Sequence, residues 1–369
     1  MAAPLTRRAA NKLVRELCDA SRPEEQKMAL AMIPATHLIG HRDSLPAIGA
    51  AGAIPPLVQL LGAHVHTHSQ ELAAGALACL AQHESIVETI TDAGAIPPLL
   101  QLLGPASSDG VQRGAAATLV GLVQSPDCLS SRSRPVAAII AAGGIPLLTR
   151  ALGPGSPARV QQNAAVTLSY LAHNAEMAVS IAFAGAIPLL VQLLGPGSAA
   201  PAAAALALTG LVHPETAVAI VAAGAISPLV QLLGAGSTVD AQKCAAAVLN
   251  KLARHATSVT AIAAAGAIPP LVQLLGRRSS PDAQEMAAGA LMGLAQNAEV
   301  AVSIAEAGGT TALFFFFFSA GCWPSISGEE GGADWESEEE GAPEEGPLTL
   351  AQTAAAQALS LRFAKTFPH

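Results

Sequence analysis

The stretch AGAIPPLVQLLG, Ala51 to Gly62, decides the fold, because the chain repeats it. It returns as AGAIPPLLQLLG from Ala93, AGGIPLLTRALG from Ala142 and AGAIPLLVQLLG from Ala184. Two more copies follow, AGAISPLVQLLG from Ala223 and AGAIPPLVQLLG from Ala265. The second residue of each copy is Gly52, Gly94, Gly143, Gly185, Gly224 and Gly266, and Gly308 stands at the next expected place. The intervals are 42, 49, 42, 39, 42 and 42 residues, a period that marks a helical solenoid.

Each unit reads as three helical segments. A short first helix ends at Ala-Gly, where glycine adopts the left-handed conformation that closes a helix. Proline then opens a second helix, PPLVQLL, at a position where its missing N–H costs nothing. A Gly-Pro-Gly-Ser-like turn stops it, and a longer third helix follows, such as AQEMAAGALMGLAQN at 283–297. One unit cannot cover its own apolar faces: Leu57, Leu60 and Leu61 need a neighbour, as do Leu77 and Leu80. Stacking supplies it.

Composition agrees. The chain has 369 residues, 51% of them hydrophobic but only 3% aromatic. Ala, Leu, Val and Ile therefore carry the core, which suits close-packed helices. The net charge of −8 is local: nine acidic residues lie between Glu329 and Glu345, leaving 18 acidic and 17 basic side chains in residues 1–318. So balanced a body argues against nucleic acid as a partner. Five scattered cysteines form neither a zinc pattern nor a disulfide frame. No continuous apolar run of transmembrane length stands free of the repeat's Gly-Pro punctuation, and the start lacks a secretory signal's apolar core. The expectation is a cytoplasmic protein, with nuclear or peripheral membrane placement as alternatives.

The GAIPPLVQLL opening and the ALxxLA pattern of the third segment resemble the armadillo repeats over roughly residues 10–308. The resemblance implies an all-α, right-handed superhelical solenoid with three helices per repeat. It also implies a non-catalytic scaffold or adaptor that binds other proteins on the concave groove formed by its third helices. In style the units are similar to vacuole-tethering armadillo adaptors and to the armadillo portions of plant U-box ubiquitin ligases. MAAPLT offers no Gly at position 2 for a myristoyl group, however, and no ligase module precedes the repeats. In importin alpha and the catenins an Asn ladder grips the peptide backbone. The matching positions here are Cys79, Gly121, Tyr170, Gly210, Lys251 and Gly293, so the resemblance does not extend to nuclear import.

The expected domains are a degenerate capping repeat at 1–50 and the solenoid at 51–308. A Phe-run and acidic low-complexity segment at 309–347 should be disordered, and 348–369 should form an amphipathic helix. Candidate partner-binding residues are Tyr170, an amphipathic anchor, and Lys243, Lys251 and Arg254, a basic spot on one third helix. Gln82, Gln124, His173, His213, Arg254 and Gln296 form a polar strip three residues past the ladder position. The acidic tail is expected to compete for the basic spot. His64, His66 and His68 fill an ordinary turn, and Arg132 and Arg134 lie in the longer loop after Ser125. No residue set pairs a nucleophile with a base, so neither catalysis, a cofactor nor a metal is expected.

Overall fold

The computed structural model describes residues 7–19, 30, 45–124, 133–172, 174–276 and 279–319, all-helical wherever regular structure occurs. Arg7–Cys18 (α1) precedes the repeats. The first repeat has Leu45–Ala50 (α2), Ile54–Gln59 (α3) and Thr67–Leu80 (α4), and the second Glu84–Asp92 (α5), Ile96–Leu102 (α6) and Asp109–Val123 (α7). The third has Arg134–Ala141 (α8), Gly144–Ala151 (α9) and Ala158–Leu171 (α10). Ala175–Phe183 (α11), Ala186–Leu194 (α12) and Pro201–Leu211 (α13) make the fourth. Pro214–Ala222 (α14), Ile226–Leu232 (α15) and Val239–Leu252 (α16) make the fifth. The sixth has Ala256–Ala264 (α17), Ile268–Leu274 (α18) and Pro281–Leu294 (α19), and Ala298–Glu306 (α20) and Gly309–Ser319 (α21) end the described chain. The chain forms two compact units, Met1–Pro228 and Leu229–His369, with the division inside α15.

The glycine turn predicted from sequence is present in every repeat. Gly52, Gly94, Gly143, Gly185, Gly224, Gly266 and Gly308 all have φ between 67° and 90°. At Gly94 the full closing pattern is visible: its N–H donates to the Thr91 carbonyl at 3.0 Å and the Ala95 N–H to Ile90 at 3.4 Å. The chain then turns sharply, by 84° between α11 and α12 and 90° between α17 and α18. The residue after the glycine goes fully inside, as at Ala53, Ala95 and Ala267.

In the first unit the third helices α4, α7, α10 and α13 pack side by side, while α5 packs on α8 and α11 on α14. In the second unit α16 packs on α19 and α17 on α20. Leu77, Leu119, Leu168 and Leu208 of the one, and Leu249 and Leu291 of the other, are completely buried. Truncating such a leucine to Ala typically costs about 2–5 kcal/mol. Helix α1 covers α2 and α3 with Ala10, Leu13 and Leu17, and turns Arg8, Asn11, Lys12 and Arg15 to solvent.

One recurrent contact is absent from the sequence reading. The side-chain amides of Gln70, Gln112, Gln161, Gln242 and Gln284 reach back from the first turn of the third helix. Each donates to the carbonyl of the glycine that closes the second helix, at 2.7 to 2.9 Å. Each of these carbonyls also accepts the backbone N–H three residues on, as Ser107 donates to Gly104 at 3.1 Å, so the glutamine adds a second bond that ties the third helix to the end of the second. The fourth repeat has no glutamine there; its third helix opens on Pro201.

The segment from residue 309, expected to be disordered, departs from that expectation at its start. Gly308 turns the chain as in the other repeats, and Gly309–Ser319 forms a helix at 81° to α20. Helix α21 touches α18, α19 and α20, so its apolar side stands where a second helix belongs. Phe314 and Phe315 are 47% and 64% exposed and meet edge to face. The acidic stretch and the proposed helix at 348–369 lie outside the described residues.

Two substitutions separate backbone strain from lack of space. Gly266 and Gly236 both have open room for a methyl group, but only Gly266 has positive φ. Gly266→Ala should lower stability by about 1–2 kcal/mol, and Gly236→Ala should not, in urea unfolding followed by helical circular dichroism. Gln112→Ala, which removes one of the two bonds to the Gly104 carbonyl and the amide bond to Ser107, should cost about 0.5–1.5 kcal/mol in the same measurement.

Candidate functional site

The open face of the first unit is built by α4, α7 and α10, whose closeness depends on small residues. A methyl group on Gly114 would lie 2.7 Å from the Ala74 Cβ, and one on Gly121 would lie 2.8 Å from the Ala81 Cβ. In the second unit the same holds for Gly293, 2.9 Å from the Ala253 Cβ. Gly121 and Gly293 occupy ladder positions, so glycine at these places is a packing requirement. A side chain there would push adjacent helices apart.

Two recesses mark this face. One, of about 510 Å³, is walled by Glu71, Arg113, Arg159 and Asn163 over a floor that includes Gly75, Ala78, Gly114 and Ala117. The other, of about 500 Å³, lies toward the C-terminal ends of the same helices and has Gln82, Glu84, Gln124, Val120 and Gly121 in its wall. Ala117 and Asn163 belong to both, which joins them into one trough. Arg113, Arg159 and Asn163 are not among the residues expected from the sequence. The signal that would have found them is their place on third helices, at positions where sister repeats carry different residues.

The predicted polar strip divides. Gln82 and Gln124 are exposed in the trough, but His213 is the half-buried N-cap of α14. Its N–H donates to Thr216 Oγ1 at 3.1 Å, and Thr216 bonds back to the Leu211 carbonyl. The cause is a one-residue shortening before α14, which moves His213 into the capping register held by Asn174 and Asn297 elsewhere. Asn174 accepts from the Glu176 N–H at 2.9 Å, and Asn297 accepts from Glu299 and Val300. Tyr170 is half-buried at the end of α10, and His173 lies outside the described residues.

In the second unit the basic spot is smaller than expected. Lys243 forms an ion pair with Asp282 of the adjacent third helix, and this raises the lysine pKa above its usual value. Lys251 is half-buried; burial first, and then nearby Arg254, hold its pKa below the ordinary lysine range. Arg254 and Gln296 are exposed. Cys79 and Cys244 are free thiols whose pKa is pushed up chiefly by burial, the opposite of a reactive cysteine.

Among the described residues, no group of three or more His, Cys, Asp or Glu side chains is placed to hold a metal, and no single helix is long and apolar enough to cross a membrane. His64, His66 and His68 are exposed, with His66 capping α4. Arg132 lies outside the described residues, whereas Arg134 opens α8 and pairs with Asp92 at 3.2 Å on the surface.

The comparisons with known proteins point one way. The armadillo/beta-catenin-like repeat family matches residues 42–81, 84–123, 132–173 and 259–291. An engineered protein solved by a structural-genomics consortium is 31% identical and superposes with a TM-score of 0.72, over 84% of this chain and 74% of its own. A computationally designed armadillo repeat protein for modular peptide recognition is 27% identical with a TM-score of 0.56, over 65% of this chain and 99% of its own. A further designed armadillo repeat protein is 28% identical with a TM-score of 0.57, again over 65% and 99%. No curated protein matches the chain significantly. The periodic glycine turns, the three helices of each repeat and these matches together place the chain in the armadillo-repeat family.

Proposed function

We propose that this protein is a non-catalytic scaffold that holds an extended segment of a partner protein along the third-helix face of its first unit. The observation that carries the reading is the continuous trough. Its floor of Gly75, Ala78, Gly114 and Ala117 is low enough for a peptide backbone to lie close to the helices. Its wall offers the amides of Gln82, Gln124 and Asn163, each able to donate and accept at once. Such groups suit backbone capture, and they stand near, not on, the ladder positions that glycine occupies. The designed relative for modular peptide recognition supports the same use of the fold. Tyr170, half-buried at the end of α10, would contribute apolar contact area with a polar tip. No described residue favours the narrower roles of vacuole tether or ubiquitin-ligase adaptor.

Selection of peptides from a random library on the full chain, followed by anisotropy titration, tests this. Ala117→Trp fills both recesses and should weaken selected peptides by about tenfold or more, since hot-spot pockets dominate such interfaces. Val218→Trp, on the exposed side of α14, should leave affinity unchanged. Equal binding by the Ala117→Trp variant, with its circular dichroism intact, would overturn the reading.

A further inference from the structure

A simple register rule links neighbouring third helices. Counting from the glycine that closes the second helix, the ninth residue of one repeat reaches the sixth residue of the next at two junctions. Two contacts show it. Lys243, ninth after Gly234, pairs with Asp282, sixth after Gly276. Glu71, ninth after Gly62, lies over Gly110, sixth after Gly104, so closely that a methyl group there would be 2.1 Å from its Oε1. The same rule applied to the second and third repeats brings Arg113, ninth after Gly104, to Arg159, sixth after Gly153. Both arginines are exposed and both wall the same recess.

Where the second unit sets a cation against an anion, this recess has two arginines in its wall. Arg159 Nη1 donates to Gln162 Oε1 at 3.0 Å, which steadies that arm without neutralising it. Glu71 shares the recess but forms no ion pair with either arginine; its carboxylate is turned over Gly110. Two like charges held close cost energy that an intervening anion recovers, and paired guanidiniums match the two oxygens of a carboxylate.

We infer that Arg113 and Arg159 form a clasp for the side-chain carboxylate of a Glu or Asp in the bound segment, so that the trough selects acidic peptides. This rests on the peptide-groove reading above and adds its charge preference. The glycine and alanine floor sets the peptide backbone low. An acidic side chain can then rise between the two arginines while Gln82 and Gln124 hold the chain further along.

The test uses the full chain and three labelled peptides that alternate Ser with Glu, Gln or Lys, read by fluorescence anisotropy. The Glu peptide should bind about tenfold tighter than the Gln peptide, and the Lys peptide weaker still. Arg113→Gln with Arg159→Gln should remove that preference, and Glu71→Gln should strengthen it. The assignment is overturned if the Glu peptide does not bind or if the double variant keeps the preference. It is equally overturned if Lys251→Gln with Arg254→Gln, in the other unit, removes it instead. If Ala117→Trp abolishes binding while the arginine variants change nothing, the clasp is wrong and the groove stands. If none of these variants matters, both readings fall.

Discussion

A residue with positive φ at the end of a helix can accomplish what side-chain packing alone cannot. It ends one helix with its last carbonyls satisfied and sends the chain off at a fixed angle. Seven glycines do this here, and every later feature assumes it. The near-right-angle turn at Gly185 or Gly266 lays the second helix across the first. The third helix can then return along one side, as α12 to α13 and α18 to α19 show. Alanine in the glycine's place would not clash with anything, since nothing lies within 4 Å of a methyl group at any of the seven. The requirement is conformational, and it is met residue by residue in each repeat.

From that turn follows the closeness of the third helices, and from the closeness follows the character of the binding face. Gly114 and Gly121 sit on Ala74 and Ala81 at distances that exclude a side chain. Stability and recognition thus compete for the same atoms. Helices this close cannot also display a ladder of amides at Gly121 or Gly293, so polar groups are displaced to the walls, to Gln82, Gln124 and Asn163. The result is a shallow, smooth trough with its chemistry on the rims, which favours an extended ligand over a compact one.

Much of this was legible in the sequence, and the exceptions have specific physical causes. Periodicity located each turn, because only glycine fills the left-handed position cheaply and the copies differ little. The glutamine clamp was visible as a recurring residue eight places after each closing glycine, at Gln70, Gln112, Gln161, Gln242 and Gln284. Its role was not, since a polar residue near a helix start reads as solvated surface. His213 was misplaced because one missing residue rotates everything after it by about a hundred degrees on a helix. The Phe-run reads as disordered because its composition departs from PPLVQLL. The Gly308 turn outweighed composition, and a helix continued. Lys243 belonged to a pair whose other half, Asp282, lies one repeat away, a relation invisible until the helices are laid side by side.

Near-identical repeats raise a further question: where such a chain can differ along its length without unfolding. Core registers do not vary in kind; Leu77, Leu119, Leu168, Leu249 and Leu291 are the same residue in the same buried place. Outside the fourth repeat, whose third helix is shorter, the sixth-place register runs His68, Gly110, Arg159, Asp240, Asp282, and the ninth-place register Glu71, Arg113, Gln162, Lys243, Glu285. These positions change charge and size freely because neither helix formation nor burial constrains them. They are also the positions that meet across adjacent third helices. Variation is therefore concentrated where two repeats meet, and each junction acquires its own chemistry: a carboxylate over glycine, two arginines, or a closed ion pair. A junction that neutralises itself, like Lys243 with Asp282, has little left to offer a partner. The junction of Arg113 and Arg159 closes no such pair, and both side chains stay exposed.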